Sequence, residues 1–150
     1  GTASTLKVIT NYLASVHLVA LGEAWTVAKK SNLDLEKTFK GIAASSGNSF
    51  VHETESQVIL NGSYNINFTM DLVLKDTGLF DDLAKKLNAP LEISPKIVEI
   101  FKDGQKKYGS RAWSSMIVKR MEDLNNIDFR AKGFPEELID NEPEEKGFEI

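Results

Sequence analysis

Between Val8 and Gly22 fifteen successive residues carry no formal charge. Across and beyond this run Leu6, Ile9, Leu13, Val16, Ala20, Ala24 and Val27 recur at three- and four-residue steps. That spacing predicts one face of a helix from about Ser4 to Lys30. Val8, Tyr12, Val19 and Leu21 make further faces apolar, so the helix is expected to be central and covered on several sides. At about 1.5 Å per residue it would be about 40 Å long, more than the width of a compact domain of this size. One end is therefore expected to reach a partner domain or subunit. The run is no membrane span, because crossing takes roughly 18 to 20 apolar residues and Thr10, Asn11, Ser15 and His17 interrupt it. Nor does it read as a signal peptide, since no basic region precedes it and no small-residue cleavage site follows.

The remaining apolar patterns are helical too. Asn32 is a plausible stop for the first helix, and Asp34 offers an N-cap for a short helix through Leu35, Phe39 and Ile42. A third segment, about Phe50 to Leu60, should stop at Asn61-Gly62. Met70, Val73, Leu74, Leu79, Phe80, Leu83 and Leu87 describe another long helix, with Asp81–Lys85 and Asp82–Lys86 spaced for ion pairs on its outer face. Ser94-Pro95 reads as a cap with proline at the first helical position, opening a helix to Tyr108. A last helix spans about Ala112 to Asp123. Only Asn61 to Asn67 has a β flavour. The expected fold is all-α, with five to seven helices around the long N-terminal one.

A chain of 150 residues with 41% hydrophobic and 27% charged side chains can bury roughly two-thirds of its unfolded surface as one domain. Eighteen basic against twenty-two acidic residues give −4, and a pI near 5.3 argues against nucleic-acid or anionic-membrane partners. The absence of cysteine removes disulfides, thiolate metal sites and cysteine nucleophiles, and fits a reducing, cytoplasmic setting. From Phe129 to Ile150 seven acids and three bases (3 − 7 = −4) carry the whole net charge. Residues 1–128 are thus expected to form the helical domain and 129–150 an extended acidic tail, anchored by Phe129, Phe134, Leu138 and Phe148.

Chemistry-bearing residues are few. His17 and His52 lack acidic or histidine neighbours at metal-ligand spacing, so no metal site is expected. His17, in the apolar helix, reads as a packing residue, and His52, beside Glu53 and Glu55, as a solvated one. Gly104 and Gly109 lack the strand–loop–helix setting of a phosphate-cradling loop. Lys7 opens the uncharged run, and Asn11 stands one turn later on the same face. Desolvation would lower the pKa of a lysine held in a low-dielectric site and fit it for proton transfer near neutrality. The commoner reading of such a pair is a snorkelling lysine and a solvated amide. Lys75-Asp76 is a second charged island in an apolar helix, open to the same two readings.

Gly1-Thr-Ala-Ser-Thr-Leu-Lys7-Val-Ile-Thr-Asn11, followed by Gly22-Glu23-Ala24, resembles the opening of the C-terminal domain of the β-hydroxyacid dehydrogenases, the 3-hydroxyisobutyrate dehydrogenase family. Asn67-Phe68 leading to Leu74-Lys75-Asp76 resembles the family's second signature. The similarity covers about residues 1 to 124. It implies the helical half of a two-domain oxidoreductase, similar in fold to the C-terminal domain of 6-phosphogluconate dehydrogenase-like enzymes. The other half would be a Rossmann domain absent from these residues, and the protein a homodimer or homotetramer. NAD or NADP would be bound mainly by that domain, and the substrate would be a small 3-hydroxyacid oxidised to its oxo or semialdehyde product. By the same resemblance Lys7 is the catalytic acid/base, Asn11 and Phe68 bind substrate, and Lys75 and Asp76 reach the coenzyme. The sequence departs from the family pattern at Ala3 and Thr10. The alternative is a non-catalytic helical oligomerisation module.

Overall fold

A computed structural model describes residues 1–139, 141 and 143–147. The elements are α1 (Thr2–Lys30), α2 (Leu35–Ala43), α3 (Phe50–Asn61), α4 (Met70–Lys86), α5 (Ser94–Tyr108), a 3-10 turn (Ser114–Ile117) and α6 (Lys119–Asn125). Among the described residues there is no strand, and the one bridge joins Thr69 to Trp113. The fold is all-α, and the 61–67 segment is a loop. No helix of the described residues is long and apolar enough to cross a membrane.

Local chemistry sets several of the ends. The Asp34 carboxylate accepts from Lys37 N at 2.9 Å, satisfying an amide that the first turn of α2 leaves free. Asn32 turns the chain at φ 58. Gly62, at φ 93, closes α3 in the left-handed conformation that favours glycine. At α5 the expected cap is displaced by one residue. Ile93 is the N-cap, and Ser94 is buried inside the helix with its hydroxyl donated to Asp81. Asp81 is thereby engaged elsewhere, and neither Asp81–Lys85 nor Asp82–Lys86 forms an ion pair among the described residues. The expected last helix breaks at Val118 into the 3-10 turn and α6.

The largest correction concerns α1. The residues buried on it are Ser15, Leu18, Leu21, Gly22, Trp25, Thr26 and Ala28. The stripe expected to face the core instead looks outward: Leu6, Ile9, Leu13 and Val27 are exposed, Val27 by 66%, as are Ala20 and Ala24. Of the stripe only Val16 packs against the core. The helix is central only from Leu18 onward, where Trp25 packs with Ile59, Leu60, Met70, Phe101 and Phe129 in one core. Closer to its start, α1 is held to α4 by the Tyr12 ring stacked on Phe80 at 4.1 Å and 7°. Gly104 permits α5 to approach the 3-10 turn, since a Cβ there would lie 2.6 Å from Ile117 Cδ1.

The two histidines exchange their expected places. His17 is exposed, facing open cavities between α1 and the 42–54 segment. His52 is fully buried, between Phe39, with ring centres 4.6 Å apart, and Trp25 at 6.0 Å. Its Nε2–H donates to Phe39 O at 2.9 Å. Nδ1 is then the acceptor, taking the Ser56 hydroxyl at 3.0 Å, while Trp25 Nε1 donates to Ser56 Oγ at 3.3 Å. Burial pushes the His52 pKa down, which keeps the ring neutral inside this relay.

Beyond α6 the described residues form no helix but are fastened to the body. Phe129 is fully buried, its N–H donates to Glu122 Oε2 at 3.1 Å, and Ala131 N donates to Leu60 O at 3.1 Å. Arg130 lies 3.2 Å from the Glu122 carboxylate and donates to the Tyr64 hydroxyl at 2.9 Å; that hydroxyl donates to Glu122. Phe134 meets Phe39 edge-on at 5.0 Å, and Leu138 borders a cavity beside α1. Phe148, the fourth expected anchor, lies outside the described residues.

Candidate active site

The N-terminal half of α1 forms one wall of a cavity of about 310 Å³. Lys7, Asn11, Ala14, Ser15 and Leu18 come from α1, spaced at three and four residues so that all lie on one side of the helix. The other walls are Glu55 from α3, Phe68 from the loop before α4, Val73 and Asp76 from α4, Phe101 from α5 and Ser114. A volume of this size suits a small ligand.

Four of the five residues singled out in the sequence meet here. Lys7, Asn11, Phe68 and Asp76 line the same cavity although up to 69 positions separate them (76 − 7 = 69). Asn11 Nδ2 donates to Asp76 Oδ2 at 2.8 Å, a bond between α1 and α4 that fixes the carboxamide. Ser15 Oγ donates back to Asn11 O at 3.0 Å, within α1. Lys7 is exposed, so the low-dielectric surroundings expected for it are not supplied by the described residues. Phe68 is 37% exposed and stands beside it as an apolar wall. Lys75 does not line the cavity; it is exposed on α4 next to Asp76.

Glu55 was not anticipated. Val51, Glu55, Val58 and Ile59 fall on one side of α3, and the three apolar members are buried. A carboxylate set into such a row is the sequence signal that could have revealed it. Its Oε2 is buried and has no hydrogen-bond partner. Loss of hydration pushes its pKa up to about 8. Glu55, Asn11 and Ala14 also line a second cavity, of about 700 Å³, on the side of α1 that carries Leu13 and His17. Among the described residues no group of three or more histidine, aspartate, glutamate or cysteine side chains is placed to hold a metal ion.

The sequence profile described as the NAD-binding domain of NADP-dependent 3-hydroxyisobutyrate dehydrogenase matches residues 1–121. The chain belongs to that family. It is 30% identical over 119 residues to the L-threonate dehydrogenase of Escherichia coli K12, a match covering 79% of this chain and 39% of the relative. It is 29% identical over 128 residues to the 2-(hydroxymethyl)glutarate dehydrogenase of Eubacterium barkeri, covering 85% and 42%. The crystal structure of a 3-hydroxyisobutyrate dehydrogenase from Salmonella typhimurium superposes with a TM-score of 0.71 at 28% identity, over 77% of this chain and 41% of that one. The Mycobacterium tuberculosis 3-hydroxyisobutyrate dehydrogenase, solved with L-serine, shares the fold, with a TM-score of 0.70 at 22% identity, over 78% and 42%. The chain therefore spans about two-fifths of the length of the relatives it matches.

Proposed function

We propose that this chain is the substrate-binding and proton-handling half of an NAD(P)-dependent dehydrogenase that interconverts a small 3-hydroxyacid and its oxo or semialdehyde product. One observation carries the reading. A lysine amine and a fixed carboxamide from α1 and an aromatic wall from the loop before α4 share one cavity of substrate size, in a member of a hydroxyacid dehydrogenase family. The cavity's residues suit a coenzyme-dependent reaction, because Lys7 is exposed and so open to a group bound by another domain.

The coenzyme, when bound, supplies the hydride acceptor in oxidation and the donor in reduction. The chain's own task is the proton. As the C–H electron pair leaves the carbinol carbon and a C=O bond forms, the hydroxyl proton passes to Lys7 Nζ; in reduction Lys7 returns it to the carbonyl oxygen. Asn11, with one amide hydrogen tied to Asp76, is held so that its remaining donor and its oxygen orient the hydroxyacid. Phe68 excludes water from one side. We assign Lys75, exposed beside Asp76, to the anionic coenzyme, and Asp76 to holding Asn11. The dinucleotide's main binding site would be a Rossmann domain outside these residues. The exposed α1 stripe would be the contact surface of a homodimer or homotetramer.

The test is Lys7→Met in the full-length protein. Turnover should fall by about 10²–10⁴-fold, the range expected for loss of a general acid/base. Thermal unfolding should be unchanged, because the side chain is exposed. Turnover indifferent to Lys7 would favour the non-catalytic oligomerisation module.

A further inference from the structure

Elsewhere in the molecule, buried charge is answered from within. Glu122, 3% exposed, has the Tyr64 hydroxyl, the Phe129 amide and the Arg130 guanidinium. The buried His52 has a partner on each ring nitrogen. Glu55 differs. Its Oε2 is buried without a hydrogen bond, and among the described residues no cation lies within ion-pair distance of it. A buried acceptor with no donor is costly, and such a residue in a cavity wall calls for a partner from outside the chain.

The polar groups around it say what that partner brings. The cavity holds a second carboxylate, Asp76, whose Oδ2 accepts from Asn11. Lys7 is exposed and committed to the reacting hydroxyl, whereas the Glu55 carboxylate oxygen is buried in the wall shared with the second cavity. A ligand reaching from Lys7 to Glu55 therefore places a different end at each. We infer that Glu55 is a specificity-determining residue, accepting a hydrogen bond from a hydroxyl or ammonium group at the end of the substrate remote from the reacting hydroxyl. The inference rests on the reading of this cavity as a hydroxyacid site. Burial raises the pKa of the carboxyl to about 8, so it is purely an acceptor above that pH, and a bound ammonium favours its ionised form further, the proton going to solvent. Above that pH a methyl group at this position leaves the acceptor unsatisfied, and a second carboxylate meets like charge.

The experiment measures kcat/KM of the full-length enzyme at about pH 9, above the Glu55 pKa of about 8, for four 3-hydroxyacids that differ only at the remote end: hydroxymethyl, aminomethyl, methyl and carboxymethyl. The wild type should prefer the hydroxyl- or ammonium-bearing compounds over the methyl one by at least about tenfold, and should use the carboxylate-bearing one worst. Relative values for the two donors distinguish an alcohol from an amine as the natural partner. Glu55→Gln should abolish any ammonium preference, keep part of the hydroxyl preference through its amide oxygen, and relieve rejection of the carboxylate. Glu55→Leu should favour the methyl compound. A wild-type preference for methyl or carboxylate overturns the inference without recourse to any variant. So does a ranking unchanged by both substitutions, with the parent function left standing. If the wild type turns over none of the four, or any other hydroxyacid, the functional reading falls and this inference with it.

Discussion

The two ends of this helical body treat polar burial in opposite ways. Around Trp25, Phe39 and His52 the packing is closed, and every ring nitrogen and hydroxyl in the relay has a partner within 3.3 Å. Less than one turn further along α3, Glu55 turns the other way, towards α1's exposed start, and keeps a buried oxygen with no partner. The same helix thus carries a histidine whose surroundings are complete and a carboxylate whose surroundings are not. Proteins satisfy nearly all their buried polar groups, so the contrast separates what holds the fold from what waits for a ligand. Lys7, Asn11 and Asp76 lie at the incomplete end.

Substitutions can break that contrast. The largest effect should come at the closed end: Trp25→Ala removes a fully buried ring and the donor to Ser56. It should cost about 3–5 kcal/mol in urea unfolding. At the open end the effect should depend on pH. Glu55 ionises at about 4.5 in the unfolded chain and about 8 in the folded one. Below the first value it is neutral in both states and has no effect. Between the two, the unfolded chain releases a proton that the folded chain keeps, so stability declines as pH rises, and the loss is complete above 8. Glu55→Gln should therefore match the wild type near pH 4 and exceed it by a few kcal/mol near pH 9, read from denaturant midpoints. His52, lowered by burial, works the other way: its contribution is lost as pH falls below its ordinary value of 6.5. The smallest effect should be Val27→Ser, on the exposed α1 stripe, which should move the unfolding midpoint of this chain by less than about 0.5 kcal/mol. A large loss there would mean that the stripe is already covered in solution.

Where neighbouring residues decide the outcome, the sequence is a sufficient guide. Asp34 caps α2, Asn32 and Gly62 take the left-handed conformation, and each does so through bonds spanning a few residues. Lys7, Asn11, Phe68 and Asp76 were legible because the family signatures mark them. Distant contacts defeat local reading. His52 is buried by Phe39 and Trp25, thirteen and twenty-seven positions away (52 − 39 and 52 − 25), while its immediate neighbours Glu53 and Glu55 suggest water. The α1 stripe from Leu6 to Val27 shows a second limit. Periodicity records that a face is apolar, not whether anything covers it, and here most of that face is exposed. Glu55 stands in an apolar row of α3 that sequence could flag, but its isolation exists only once α1, α3 and α4 have packed.

The segment after α6 bears on how little of this chain can be expressed by itself. The family's match ends at residue 121, yet Glu122 is buried and finds its cation in Arg130, while Phe129 fills the interior. A gene fragment trimmed to the recognisable homology would strand an anionic group in the middle of the body and leave an aromatic-sized hole beside it. The smallest self-sufficient piece must run past Ala131, whose amide closes the last backbone bond to α3.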